Sequence, residues 1–323
     1  MTAGLTHHAV RVPATTANLG PGFDALGLAL DRHLLVRSRP RDEAPMRVEA
    51  RGEGAGEVAD DDDNLVWRAL VTFCEHHGVE VPDVGLVAQC DVPLERGMGS
   101  SSAAIVAGLV LGRALTGVAV GDRELVALGD RLEGHPDNVA PALLGGLVAC
   151  ARDATGALVV RRINPAPGLR PLLLVPEHRQ LTAEARSVLP ASLPRADVAS
   201  QAARAAHVLV GMTGSWPVDA SVAIDLVHEP ARLQVMAPTA RVLGALREAG
   251  VQAWLSGAGP SVALMVPRSE GAGSVELAAE LGSREGFGLL EVDVQLAGAI
   301  ACPDGGCGVA GGSECVQCPR RRV

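Results

Sequence analysis

The chain is 323 residues long, carries a formal net charge of −9, and is 48% hydrophobic but only 2% aromatic. Such a length suits two halves sharing a cleft, and the negative charge argues against nucleic acid as a partner, which calls for basic patches. No apolar run reaches the roughly 18 residues of a membrane span and no signal peptide opens the chain, so a cytoplasmic protein without a membrane partner is expected.

Residues 8–12 and 34–38 read as strands flanking a Gly-rich loop, and the acidic stretch 52–63 reads as an exposed excursion. From 64 to 77, Leu65, Val66, Ala69, Leu70 and Phe73 fall on one helical face, with Asp63 or Asn64 as the cap. A buried strand at 84–92 precedes a small-residue helix at 100–116, ended near Gly117, and a second helix at 122–133. Strands follow at 146–150, 157–163 and 170–175, and the Asn-Pro-Ala-Pro-Gly run at 164–168 marks a boundary between halves 1–163 and 164–301. Beyond it come mostly helical segments, strands at 251–255 and 262–266, a helix around 275–281 and a strand at 289–294. Helices and strands mixed without regular βαβ alternation, and without an internal repeat, indicate an α+β fold. Cys74, Cys90 and Cys150 sit in apolar segments and read as small core hydrophobes, not as a disulfide framework.

The most informative stretch is Pro93, Leu94, Glu95, Arg96, Gly97, Met98, Gly99, Ser100, Ser101, Ser102 and Ala103, which runs from a strand into a helix. Glycines permit a tight turn and close approach to a ligand. The serines occupy a first helical turn, where free N–H groups and the positive dipole end attract anions. A Gly-rich turn opening a helix is a phosphate cradle, although alone it could equally be a cap. No Lys precedes the serines, so this is not the common P-loop.

Three further segments accompany it in order: VPATTANLGPGFDALGLAL at 12–30, LEGHPDNVAPALLGG at 132–146 and LSGAGPSVA at 255–263. Together the four resemble the GHMP kinases, and the first and third are similar to the homoserine kinase branch of that family. The resemblance runs from residue 9 to residue 301. It implies two α+β halves with the active site between them, ATP and Mg²⁺ as cofactors, and L-homoserine as the substrate phosphorylated to O-phospho-L-homoserine on the way to threonine. The alternatives are another small-molecule kinase of the family, or a non-catalytic ATP-binding sensor, which has no need of metal ligands.

Mg²⁺ takes one or two carboxylate or hydroxyl oxygens from protein, and the resemblance makes Ser101 and Glu133 that pair. The bland reading of Glu133 is a solvated helix-end carboxylate. A substrate bearing ammonium and carboxylate needs an acid and a cation at fixed separation. Asp24 offers the acid, Asn18 adds a neutral hydrogen-bonding group, and arginine suits bidentate carboxylate capture. The resemblance implies Asp24 on the ammonium, Arg186 and Arg232 on the carboxylate, His135 and Asn138 on the hydroxyl side, Thr182 nearby, and Asn64 at the adenine. Without it, each arginine reads as a surface charge, His135 before Pro136 as a helix-terminating residue, Asp24 and Asn18 as Asx-turn formers, and Asn64 as an N-cap. The loop at 257–261 approaches through backbone alone. The run Pro13 to Asn18 has no Lys or Arg to partner a catalytic acid; the resemblance to the homoserine kinase branch implies direct attack of the hydroxyl on the γ-phosphate, oriented by Asn138. Asp137 is the leading residue if a base operates.

Residues 302–323 depart from the family, with Cys302, Cys307, Cys315 and Cys318 in a Gly-rich, Arg-ended stretch. The spacing permits a zinc knuckle; the expectation is a disordered extension. The oligomeric state is left open, a homodimer among the options.

Overall fold

A computed structural model describes residues 7–180, 182–214, 218–269 and 271–303, with the side chains of 182, 183 and 303 outside that description. The first sheet is built around an antiparallel pair, β1 (His8–Ala17) and β2 (Leu26–Pro40). β2 is long enough to serve two further neighbours. Its second half pairs with β4 (Val84–Cys90) and its first three residues with β5 (Leu147–Arg152). β3 (Val48–Gly52) lies parallel to β4, β6 (Leu158–Ile163) antiparallel to β5, and β11 (Ile300–Pro303) antiparallel to β1. Four helices, α1 (Leu65–His77), α2 (Ser100–Thr116), α3 (Asp122–Glu133) and α4 (Pro136–Leu144), share one apolar cluster with Val10, Val36, Leu86 and Val148 of this sheet.

The second sheet is antiparallel throughout, in the order β10 (Phe287–Glu291), β7 (Leu169–Pro176), β9 (Val262–Pro267), β8 (Gln252–Leu255). The helices between its strands are α5 (Thr182–Ser187), α6 (Arg195–Thr213), α7 (Glu229–Arg232), α8 (Ala237–Glu248) and α9 (Ala272–Glu285). α8 and α9 bury Val242, Leu246 and Ala278 against it. A third apolar cluster joins the halves, with Leu28, Leu30 and Met98 from one side meeting Leu173, Met212, Trp254 and Ala263 from the other. That shared core fixes the two walls of the cleft described below.

The architecture is the mixed α+β fold expected, and the helices at 100–116 and 122–133 stand at their expected bounds. β1 and β2 extend through residues 13–17 and 26–33, which read as part of the loop between them, and three further elements depart from the sequence reading. α4 begins at Pro136, where His135 read as a helix-terminating residue, and it also contains Pro141; Pro at the first helical position gives up only an N–H that has no partner there anyway. β3 is short, and its pairing is set by β4 far along the chain. β11 carries residues 300–303 back onto the first sheet, so the end of the second half does not stay with the second sheet. Cys74, Cys90 and Cys150 are free thiols, and burial pushes those of Cys74 and Cys150 up to about 11 and about 12. Cys302 lies on β11, whereas Cys307, Cys315 and Cys318 lie outside the described residues. No described helix is long and apolar enough to cross a membrane.

Candidate active site

The Gly-Met-Gly-Ser turn is held from both sides. Gly99 adopts φ 68°, and a Cβ there would stand 2.0 Å from Thr15 Oγ1; a Cβ on Gly97, at φ 73°, would stand 2.1 Å from the Ser256 carbonyl. Only glycine permits both the left-handed backbone and the close approach. The Thr15 N–H donates to Met98 O at 3.1 Å and the Ser256 hydroxyl to Gly97 O at 2.6 Å, so the loop is clamped between β1 and the segment after β8. In α2 the Ala103 N–H closes the first turn on Gly99 O at 2.8 Å. The N–H groups of Ser100, Ser101 and Ser102 precede that bond and have no carbonyl partner within the helix. Ser100 and Ser101 line a solvent-open cleft.

α3 ends at Glu133, Gly134 turns the chain at φ 89°, and α4 begins with His135 as its N-cap. This compact turn puts Glu133, His135, Asp137 and Asn138 on the same cleft. Ser101 Oγ donates to Glu133 Oε1 at 2.5 Å, joining the two residues paired from the sequence. A carboxylate at a helix C-terminus faces the negative dipole end, and a hydroxyl with a carboxylate is a hard-oxygen donor set; the pair therefore fits Mg²⁺. Asp24, His135 and Asp137 also bring donor atoms within 4.8 Å of one another. Those donors are already engaged: His135 Nδ1 bonds Asp137 Oδ1 at 2.7 Å, and Asp24 is paired with Arg186. Burial pulls the His135 pKa down, but the hydrogen bond to Asp137 and the Asp137 and Glu133 charges outweigh it, leaving it above the ordinary histidine value. Asn138 is oriented by Thr15, whose hydroxyl donates to Asn138 Oδ1 at 2.7 Å.

The other end of the cleft is cationic. Arg186 on α5 makes a two-pronged pair with Asp24, at 2.6 and 3.2 Å, both side chains about one-third exposed. Arg232 is buried, 2% exposed. Its guanidinium donates to Ala185 O at 3.0 Å, Gly257 O at 3.0 Å and His228 Nδ1 at 3.1 Å, and no described carboxylate pairs with it. Burial and the neighbouring Arg186 push its pKa down to about 10, so it stays charged at neutral pH. Both guanidinium groups lie over the Phe23 ring, 5.7 and 5.4 Å from its centroid, and that ring stacks on His228 at 5.0 Å. Asn18, at φ 70°, spends its amide on Gly257 O at 2.9 Å and on the Asp24 N–H at 3.2 Å.

The structure thus gathers Asn18, Asp24, Glu95, Gly97, Gly99, Ser100, Ser101, Glu133, His135, Asp137, Asn138, Arg186 and Arg232 on one cleft. It does not bring Asn64 there. That side chain caps α1, accepting from the Val66 N–H at 3.0 Å and donating to Ala59 O at 2.6 Å. Pro93, Leu94, Arg96, Met98, Ser102 and Ala103 do not line the cleft either. Arg96 turns away to the Pro176 and Glu177 carbonyls, while Met98 is buried in the core joining the halves. Thr182 opens α5, but its side chain lies outside the described residues. Sequence reasoning missed Thr15, Phe23, Gln180 and His228. For Phe23 a signal existed: one of three phenylalanines stands in a Gly-rich turn of an aromatic-poor chain.

A family described as GHMP kinases N terminal domain matches residues 64–146, the region from α1 to the end of α4. A homoserine kinase of Leifsonia xyli is 44% identical over 263 residues, 80% of this chain and 80% of that protein. A homoserine kinase of Moorella thermoacetica is 40% identical over 255 residues, 78% of this chain and 85% of that one. Among solved structures, a homoserine kinase from Cytophaga hutchinsonii superposes with a TM-score of 0.79 at 26% identity, covering 92% of this chain and 98% of its own.

Proposed function

We propose, for a chain that belongs to the homoserine kinases of the GHMP kinase family, that it moves the γ-phosphoryl group of ATP to the side-chain hydroxyl of L-homoserine. The observation that carries this reading is a single cleft with opposite chemistry at its two ends. Free helix N–H groups and an oxygen-donor pair stand at one end, and an acid with two arginines at the other. The product, O-phospho-L-homoserine, would serve threonine synthesis.

Phosphoryl transfer is mostly positioning and charge stabilisation. The first-turn N–H groups of α2 and its dipole receive the phosphates. Ser101 and Glu133 would hold Mg²⁺, which supplies charge neutralisation on the phosphates when bound. Asn138 has its Oδ1 occupied by Thr15 and one amide N–H directed at Asp137 Oδ1 at 3.5 Å, so its second amide N–H is the donor left to orient the substrate hydroxyl. No dedicated base is needed if the hydroxyl proton leaves late or passes to phosphate; Asp137 stands ready should one operate.

At the amino-acid end, Asp24 takes the ammonium in exchange for Arg186. Arg232, already desolvated and without an acid partner among the described residues, takes the carboxylate, and Arg186, released from Asp24, turns to the same group. Asn18 acts on Asp24 as a positioning residue. His135 lines the hydroxyl side, and Thr182 belongs to the helix that carries Arg186. An ADP-release assay across homoserine, mevalonate, galactose and shikimate tests the reading.

A further inference from the structure

We propose a second metal site, remote from the cleft, in which His76, His77 and Glu124 bind a zinc-class divalent ion at the junction of α1 and α3. One donor atom from each residue lies within 4.8 Å of the other two. His76 Nε2 stands 3.5 Å from Glu124 Oε1, and His77 Nε2 stands 3.9 Å from the same oxygen. Ligands about 2.0–2.1 Å from a tetrahedral zinc lie roughly 3.3 Å apart, so small side-chain adjustments close the site.

A second observation points to a ligand. His77 Nε2 is shut off from solvent and has no hydrogen-bond partner among the described residues. Such a buried polar atom calls for a partner that is missing. Its ring is held by Phe73, with centroids 4.5 Å apart, and by the edge of His76 at 4.9 Å. His76 and Glu124 are 41% and 49% exposed, which gives an ion a route in and leaves a fourth position for water. Two imidazoles and one carboxylate suit zinc better than Mg²⁺ or Ca²⁺, which prefer oxygen.

The consequence is structural. α3 begins beside Glu124 and ends at Glu133, so an ion here pins the far end of the helix that delivers Glu133 to the cleft. The site does not depend on the kinase assignment.

Metal-depleted full-length protein, kept reduced, is titrated with Zn²⁺ by calorimetry beside the His76→Gln and Glu124→Gln variants. Both substitutions are at half-exposed positions, and any thiolate sites elsewhere are common to all three proteins. The wild type should show one Zn²⁺ equivalent that each variant weakens by more than the roughly 10–100-fold lost with an outer-shell partner. Co²⁺ at that site should give visible d–d bands without thiolate charge transfer. Identical isotherms in all three proteins, or Co²⁺ bands only of thiolate type, would overturn the proposal.

Discussion

Asp24 and Arg186 face each other across 162 residues of sequence as a two-pronged ion pair, 2.6 and 3.2 Å between their atoms. The two residues assigned to opposite ends of a zwitterion are thus each other's partner. In the proposed site, an incoming amino acid would replace this pair with its own ammonium and carboxylate, so that neither charge would be left bare on binding. Arg232 differs, because it is buried and has no described acid partner.

Removing Arg232 should therefore cost more than removing Arg186. Arg186→Ala should raise KM for homoserine and spare that for ATP, since its loss also frees Asp24. Arg232→Lys, which keeps the charge but loses the fork, should raise homoserine KM further, on the order of 10–100-fold, the range of a charge-assisted hydrogen bond. Steady-state kinetics of the two variants decide it; an unchanged homoserine KM in Arg186→Ala counts against the site.

Glu133→Gln and Ser101→Ala should act mainly on kcat, because metal positioning matters most as charge shifts in the transition state. A loss on the order of 10²-fold is expected, comparable with deleting one transition-state donor. Both variants should need more Mg²⁺ for half-maximal rate. A Mg²⁺ titration at saturating ATP reads this directly, and wild-type Mg²⁺ dependence would remove the pair from the metal site.

Asp137→Asn separates direct attack from base catalysis. Asp137 is buried and accepts from His135, so some stability should be lost. If no base operates, kcat should fall by less than the roughly 10²–10⁴-fold typical of general acid–base help. A larger fall, in a variant whose circular dichroism matches the wild type, would make Asp137 a base.

Much of this was legible in the chain. Gly99, Gly117 and Gly134 bracket α2 and α3, and the Asn64 cap with its apolar face marks α1. Ser101 and Glu133 could be paired before their contact was visible. What could not be read depended on distant partners. Arg232 looks like a surface charge because its acceptors, Ala185 O and Gly257 O, come from segments 47 and 25 residues away. Thr15 gains its role only where β1 passes the start of α4, and the exchange between Asp24 and Arg186 needs α5 folded over the 20–24 turn. α4 was hidden behind Pro136, which made His135 read as the end of a helix, and β11 is four residues whose pairing lies at the opposite end of the chain.

Acid should destabilise the fold through His228. Arg232 donates to its Nδ1, which requires a neutral ring, and burial pushes its pKa down to about 4 from 6.5. The unfolded chain therefore binds a proton that the folded one refuses. The stability this group contributes is fully present above about pH 6.5 and is lost as pH falls toward 4. His33, also held near 4 by burial and by Arg11, adds to the same slope. Tm measured from pH 8 to 4.5 should fall most steeply below 6.5, and His33→Gln should flatten the curve. A Tm independent of pH across that window would contradict the neutral His228.

The proposed cleft is shaped for an amino-acid alcohol. Buried groups left unpaired by an analogue allow rejection on the order of 10⁴-fold or more. The direct measurement is kcat/KM for ADP release with L-homoserine beside mevalonate, galactose and shikimate, at fixed ATP and Mg²⁺. Homoserine should exceed each of the others by that order. Equal turnover of mevalonate, or no ADP release with homoserine, would contradict the assignment.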